Sequence, residues 1–143
     1  MCGFLGQLGF ELNYLNDKYV ASEIKPLLEH RGPDNFSYFK NIENKIFFAH
    51  WRLSIIDLTT SSNQPIKSFS GRYTMIFNGE IYNYKKLSKL LDEKKIMHNK
   101  NSDSSILINL FEVYDLENIL KNIEGMYAFG VYDNKDKKLF LCR

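Results

Sequence analysis

Residues 126–132, Met-Tyr-Ala-Phe-Gly-Val-Tyr, constrain the fold more than any other stretch of the chain. Successive side chains of a strand point to opposite faces, and both faces of this one are apolar. Such a strand has to be covered on both sides. The 143 residues are enough for one domain with a real core. Hydrophobic residues make up 44% and aromatics 15%, which predicts a globule able to supply that cover. A turn at Asp133–Lys138 then leads into Leu139–Cys142, an apparent partner strand.

The elements around it follow from periodicity. Residues 3–10 read as a strand carrying glycines, which in a strand mark close approach of a backbone or a ligand. Asn16 or Asp17 is positioned to cap a helix in which Val20, Ile24, Leu27 and Leu28 recur at helical spacing. His30-Arg31-Gly32-Pro33 ends it. Strands are expected at 36–40, 45–51, 53–57 and 72–77, with a Thr/Ser/Asn/Pro-rich loop over 59–70. Helices are expected near 84–93, 103–115 and 116–121. Strands, then helices, then strands predict an α+β fold with packed sheets.

Charge and cysteine content exclude several classes of function. With 19 basic and 17 acidic residues the net charge is +2, which gives no reason to expect nucleic acid or an anionic membrane as partner. Lys85, Lys86, Lys89, Lys94 and Lys95 cluster among Asp92 and Glu93 and read as a solvated helix face. The apolar start is short and broken by Gly6, Gln7 and Gly9, so it is no signal peptide. No apolar run approaches the roughly 20 residues of a membrane span. Cys2 and Cys142 form no disulfide framework, which favours a reducing cytoplasm. Three histidines without ligand spacing, His98 among them as a surface residue, point away from a metal site. Neither a GxxxxGK[ST] phosphate loop nor a GxSxG nucleophile turn is present.

Four positions carry chemistry, each with an ordinary structural alternative. Removal of Met1 would make Cys2 the N-terminus, where its own α-amine, with a pKa of about 7.7–8.0, can serve as base. The alternative is a small buried residue in a first strand. Arg52 lies in apolar surroundings, where a guanidinium can grip a carboxylate through two parallel bonds; an ion pair with Asp57 is the alternative. Asn78-Gly79 is the leading hairpin-turn signal, but the Asn78 side chain and the Gly79 N–H can also meet a developing oxyanion. Asp103 favours the first turn of a helix capped by Ser102, and can equally accept a substrate ammonium.

In this order the motifs resemble the glutaminase domain of glutamine-hydrolysing asparagine synthetases, which are class II glutamine amidotransferases. The matching text is MCGFLG at the start, HRGPD at 30–34, HWRLSIID at 50–57, NQP at 63–65, FNGEIYN at 77–83, SD at 102–103 and EGMYAFGVYD at 124–133. Sister families for glucosamine phosphate and purine synthesis share the cysteine and Asn-Gly, but differ around the arginine and lack the RLSIID and NGEIYN wording. The resemblance implies an N-terminal-nucleophile hydrolase, a four-layer αββα sandwich of two antiparallel sheets. It implies Cys2 as nucleophile, with Asn78 and Gly79 as oxyanion hole. Arg52 would bind the glutamine α-carboxylate and Glu80 with Asp103 the α-amino group, with Leu53, Ser54, Ile55 and Ile56 lining the pocket. L-Glutamine would be hydrolysed to glutamate and ammonia through a thioester.

Two departures from the family pattern stand out. Ser105 occupies a position where family members often carry a glutamate that would complete a capping box with Ser102. Its loss predicts a looser Asp103. Family members also continue beyond this point with further strands and an ATP-using synthetase domain. The resemblance therefore implies a truncated amidotransferase domain over 1–143 that binds no cofactor itself. ATP and Mg²⁺ would belong to the missing synthetase domain, its partner in the parent protein, and the resemblance allows a homodimer there. Two further readings stay open: an inactive fragment, and a module serving an acceptor other than aspartate.

Overall fold

The computed structural model describes residues 2–54 and 60–143, the side chain of Ser61 excepted. Two antiparallel sheets form its centre. Strands β1 (Gly3–Leu8), β2 (Asn35–Asn41) and β3 (Ile46–Arg52) make the first, in the order β1-β3-β2. Strands β4 (Ile66–Lys67), β5 (Tyr73–Ile81), β6 (Gly125–Asp133) and β7 (Lys138–Cys142) make the second, in sequence order.

Alternation along the strands sorts the core into three apolar layers. On β3, Phe47, Ala49 and Trp51 face outward and pack with Leu12, Leu15 and Val20. Ile46 and Phe48 face the opposite way and meet Ile76 and Tyr132 of the second sheet. On β5, Met75 and Phe77 join Phe129 and Val131 of β6 beneath three helices, α2 (Tyr84–Glu93), α3 (Asp103–Leu110) and α4 (Leu116–Asn122). The order is therefore helical segment, sheet, sheet, helices: an α+β sandwich of four layers. Strand β6 gives Phe129 and Val131 to one side and Tyr132 to the other, which is the double cover its sequence demands.

The helical segment is less regular than its spacing predicts. Asn16 caps it by accepting from the Tyr19 N–H at 2.9 Å, and Asp17–Tyr19 is α-helical (α1). Val20–Ile24 then widens to a π turn, and Lys25–Leu27 and Glu29–Arg31 tighten to 3-10 turns. Pro26 is the cause, since it has no N–H to donate and its ring clashes with the carbonyl four residues back. Helix α2 occupies the expected 84–93, with Lys85, Lys86, Lys89, Lys94 and Lys95 exposed. Helix α3 stops at Leu110, short of the expected 115. The strand expected at 53–57 does not begin at Leu53 or Ser54, and its remainder lies outside the described residues. No helix among the described residues is long and apolar enough to cross a membrane.

Candidate functional site

Cys2 lies at the entry to β1, which pairs with β3 in the register Gly3 to Trp51. Antiparallel pairing thus carries the sulfur to the far end of β3, beside Arg52 and Leu53. The Leu53 N–H donates to Sγ at 3.3 Å, and the thiol faces the Leu53 carbonyl at 3.5 Å. Arg31 Nε donates to the Cys2 carbonyl at 3.3 Å. The helix-stop segment does more than stop a helix. Asp34 donates its N–H to the Arg52 carbonyl at 3.0 Å and accepts from the Ser54 N–H at 2.7 Å. Arg31 therefore braces Cys2, and Asp34 braces the segment 52–54.

Arg52 is buried, with Nη1 donating to Asn63 Oδ1 at 2.7 Å. A guanidinium removed from water needs such oxygen partners. Asp57, the alternative ion-pair partner, lies outside the described residues.

Asn78 and Gly79 do not form a hairpin turn. They sit inside β5, opposite Ala128 and Tyr127 of β6. A Cβ on Gly79 would lie 2.2 Å from the Met126 carbonyl oxygen, and φ at this residue is +154°, so close approach and conformation both require glycine. In an antiparallel ladder, alternate residues direct N–H and C=O to one neighbour and the rest to the other. The odd residues of β5 face away from β6. Tyr73 exchanges bonds with Ser68, and Met75 lies opposite Ile66 of the two-residue β4. Beyond β4, side chains replace the strand. Phe77 donates to Gln64 Oε1 at 2.6 Å and accepts from His50 Nε2 at 3.1 Å, and Ile81 donates to Asp103 Oδ2 at 3.1 Å. The same alternation directs the Gly79 amide to this edge, between Phe77 and Ile81, where it borders the cavity.

Asp103 begins α3. Ser102 is its N-cap, accepting from the Ser105 N–H at 3.2 Å. Asp103 accepts from the Ile81 and Ser104 N–H groups, the latter at 2.7 Å. Burial pushes its carboxyl above the usual range and the nearby Glu80 adds to this, while the two amides pull it back. An arriving ammonium would favour the charged form. Ser105 departs from the capping-box glutamate, yet the turn is not loose. Its buried hydroxyl accepts from the Asn99 N–H at 3.0 Å and ties the preceding loop to the helix. These bonds hold the turn in place where no capping-box glutamate is present.

These segments enclose one cavity of about 270 Å³, near the lower end of the roughly 300–1,000 Å³ of small-molecule pockets. Cys2, Arg52, Leu53, Asn78, Gly79, Glu80 and Asp103 all line it. Ser54 does not, its amide being engaged by Asp34. Ile55 and Ile56 lie outside the described residues. Sequence reasoning gave no role to Gln64, Ser62, Ser104 or Met126, which also line the cavity. Nor did it give one to His50, which is buried behind it. The only available signal was the place of Gln64, His50 and Met126 within the NQP, HWR and EGMYAFGVYD wording; Ser62 and Ser104 lie outside the matching motifs. His98 is not a free surface residue: its ring meets Ser88 Oγ at 2.7 Å and the Ile96 carbonyl at 2.8 Å. Among the described residues no cluster of His, Cys, Asp or Glu has the makings of a metal site.

Comparison with known proteins gives the family of the chain. The family described as "Glutamine amidotransferase domain" matches residues 1–143. The chain is 32% identical over 145 residues to glutamine-hydrolyzing asparagine synthetase 1 of Bacillus subtilis (strain 168), covering 100% of this chain and 22% of that protein. It is 35% identical over 130 residues to amidase chry2 of Gibberella zeae, covering 88% and 19% respectively. The chain thus spans less than a quarter of the length of these relatives. Among solved structures, the glutamine phosphoribosylpyrophosphate amidotransferase from B. subtilis, complexed with ADP and GMP, superposes with a TM-score of 0.51 at 22% identity. That match covers 64% of this chain and 22% of the other, and it supports the α+β fold of two antiparallel sheets.

Proposed function

The chain belongs to the glutamine amidotransferase domain family, and on that basis we propose that its cavity hydrolyses L-glutamine with Cys2 as the nucleophile. The reading is carried by one observation: Cys2, Arg52, Asn78, Gly79 and Asp103 line the same cavity although four separate segments supply them. Arg52 takes the α-carboxylate, and Glu80 with Asp103 takes the α-ammonium. These opposite charges orient the side-chain amide toward the sulfur. After removal of Met1, the Cys2 α-amine accepts the thiol proton. The sulfur attacks the amide carbon, and the oxyanion that forms meets the Asn78 side chain and the Gly79 N–H. The C–N bond then breaks, the nitrogen leaves as ammonia with the proton held by the α-amine, and a γ-glutamyl thioester remains. Water cleaves the thioester, giving glutamate and the free thiol.

The relatives carry the reading further. Two of them at 32% and 31% identity are glutamine-hydrolyzing asparagine synthetases. The ammonia would accordingly pass to a synthetase domain that uses ATP and Mg²⁺ to convert aspartate to asparagine, in the cytoplasm. The 35% identity to an amidase favours a second reading, a module serving an acceptor other than aspartate.

The test is glutamate release by purified protein whose N-terminal residue has been confirmed by mass, alongside Cys2→Ala. Cys2-dependent release is expected. A folded protein with Cys2 at its N-terminus that releases no glutamate would falsify the catalytic reading in favour of an inactive fragment.

A further inference from the structure

The edge of β5 that borders the cavity has lost its neighbouring strand, and two side chains have taken the strand's place. Strand β4 ends its pairing at Met75. At Phe77 the amide is held by Gln64 Oε1 at 2.6 Å and the carbonyl by His50 Nε2 at 3.1 Å. A carbonyl can only accept, so Nε2 carries the proton and Nδ1 is left as a lone pair. Nδ1 is buried and has no hydrogen-bond partner among the described residues. Burial also keeps the ring neutral, lowering its pKa to about 4. A fully buried ring with one orphaned nitrogen is a poor choice for stability alone.

What the ring does hold is a peptide plane. The Phe77 carbonyl and the Asn78 N–H belong to one rigid unit. Fixing that carbonyl sets the direction in which the chain enters Asn78 and Gly79. Gln64 fixes the other side of Phe77, so the residue is clamped just before the two groups assigned to the oxyanion. Donors of this kind act only when held within about 0.5 Å of their working position.

We propose that His50 and Gln64 are positioning residues for the oxyanion hole, acting through the backbone of Phe77. The inference rests on the reading of Asn78 and Gly79 as oxyanion donors. A clamp of this sort changes transition-state stabilisation and leaves the Arg52 and Asp103 contacts that bind glutamine in place. It therefore lowers kcat and spares KM.

The experiment compares steady-state glutamate release by the purified protein and its His50→Leu, His50→Gln, Gln64→Met, Asn78→Ala and His50→Leu/Asn78→Ala variants, with folding followed by circular dichroism. His50→Leu is expected to lose about 10- to 100-fold in kcat with KM within about twofold. His50→Gln, which can still donate an N–H, should recover most of the loss. The double variant should fall little below Asn78→Ala, because both changes disable one device. Gln64→Met lies in a loop and keeps side-chain length, so it tests the clamp even if His50→Leu fails to fold; the same kcat-only loss is expected. A kcat within about twofold of the parent in folded His50→Leu or Gln64→Met overturns the proposal. So do losses that multiply in the double variant, or a loss confined to KM. If these fail while release still depends on Cys2 and Asn78, only the positioning role is wrong. If release does not depend on Cys2 or Asn78, the underlying reading falls, and the clamp with it.

Discussion

Replacing Gly79 by alanine tests the site's geometry without touching a functional side chain. The new Cβ would sit 2.2 Å from the Met126 oxygen and 2.6 Å from the Tyr127 Cα, where ordinary contact begins at 3.4 Å. Both atoms are backbone, so β5 and β6 would have to separate locally by about 1 Å. Overpacking of this kind costs about 1–3 kcal/mol. A side chain at a φ of +154° adds strain of about 1–3 kcal/mol. The total, about 2–6 kcal/mol, corresponds to a Tm lower by roughly 5–20 °C for a domain of this size. Gly71→Ala provides the control. Its φ is +77°, but nothing lies within 4 Å of the new Cβ, so only the backbone strain of about 1–2 kcal/mol should remain. Urea titrations followed by circular dichroism would separate the two. Equal losses in Gly79→Ala and Gly71→Ala would refute the steric argument, and with it the claim that β6 presses on the Asn78-Gly79 backbone.

Two other outcomes follow from buried groups. His50 has a folded pKa lowered from 6.5 to about 4, so the unfolded chain binds its proton first as pH falls; the contribution is complete above pH 6.5 and is lost on the way down to about 4. The loss is about 3 kcal/mol, read as the urea stability of the parent minus that of His50→Gln across that range; a parent-minus-variant difference that shrinks as pH rises would have the wrong sign. Ser102→Ala removes a buried N-cap that also accepts from Ser62 Oγ at 2.8 Å, and should cost about 1–2 kcal/mol and raise the glutamine KM through Asp103, measured by melts and kinetics; an unchanged KM would detach the cap from the site.

What the sequence revealed and what it hid differ in range. Helix α2 and strand β6 announce themselves through local patterns of leucine spacing and two-faced apolarity, and both appear where expected. Pro26 also acts locally, but the spacing of Val20, Ile24 and Leu27 masked it. At Asn78-Gly79 local preference favoured a turn, and pairing with β6 overrode it. Cys2, Arg52 and Asp103 stood out by residue type and setting, and Glu80 through the family resemblance; all four line one cavity. Gln64 and His50 did not stand out, because each serves a backbone group 13 or 27 residues away that only tertiary structure brings near. Ser105 shows the same limit: its hydroxyl answers to Asn99, outside any helix-capping pattern.

The interlayer of Ile46, Phe48, Ile76 and Tyr132 has a consequence beyond its share of the core. Cys2 enters on the first sheet and the Asn78-Gly79 edge on the second, so no strand ladder joins them. Those four side chains act as the spacer that fixes how far the sulfur stands from Asn78 and Gly79. A slide of one sheet across the other would detune that distance while every strand pair stayed intact. The proposed reactivity would thus depend on sheet alignment as much as on the residues that line the cavity.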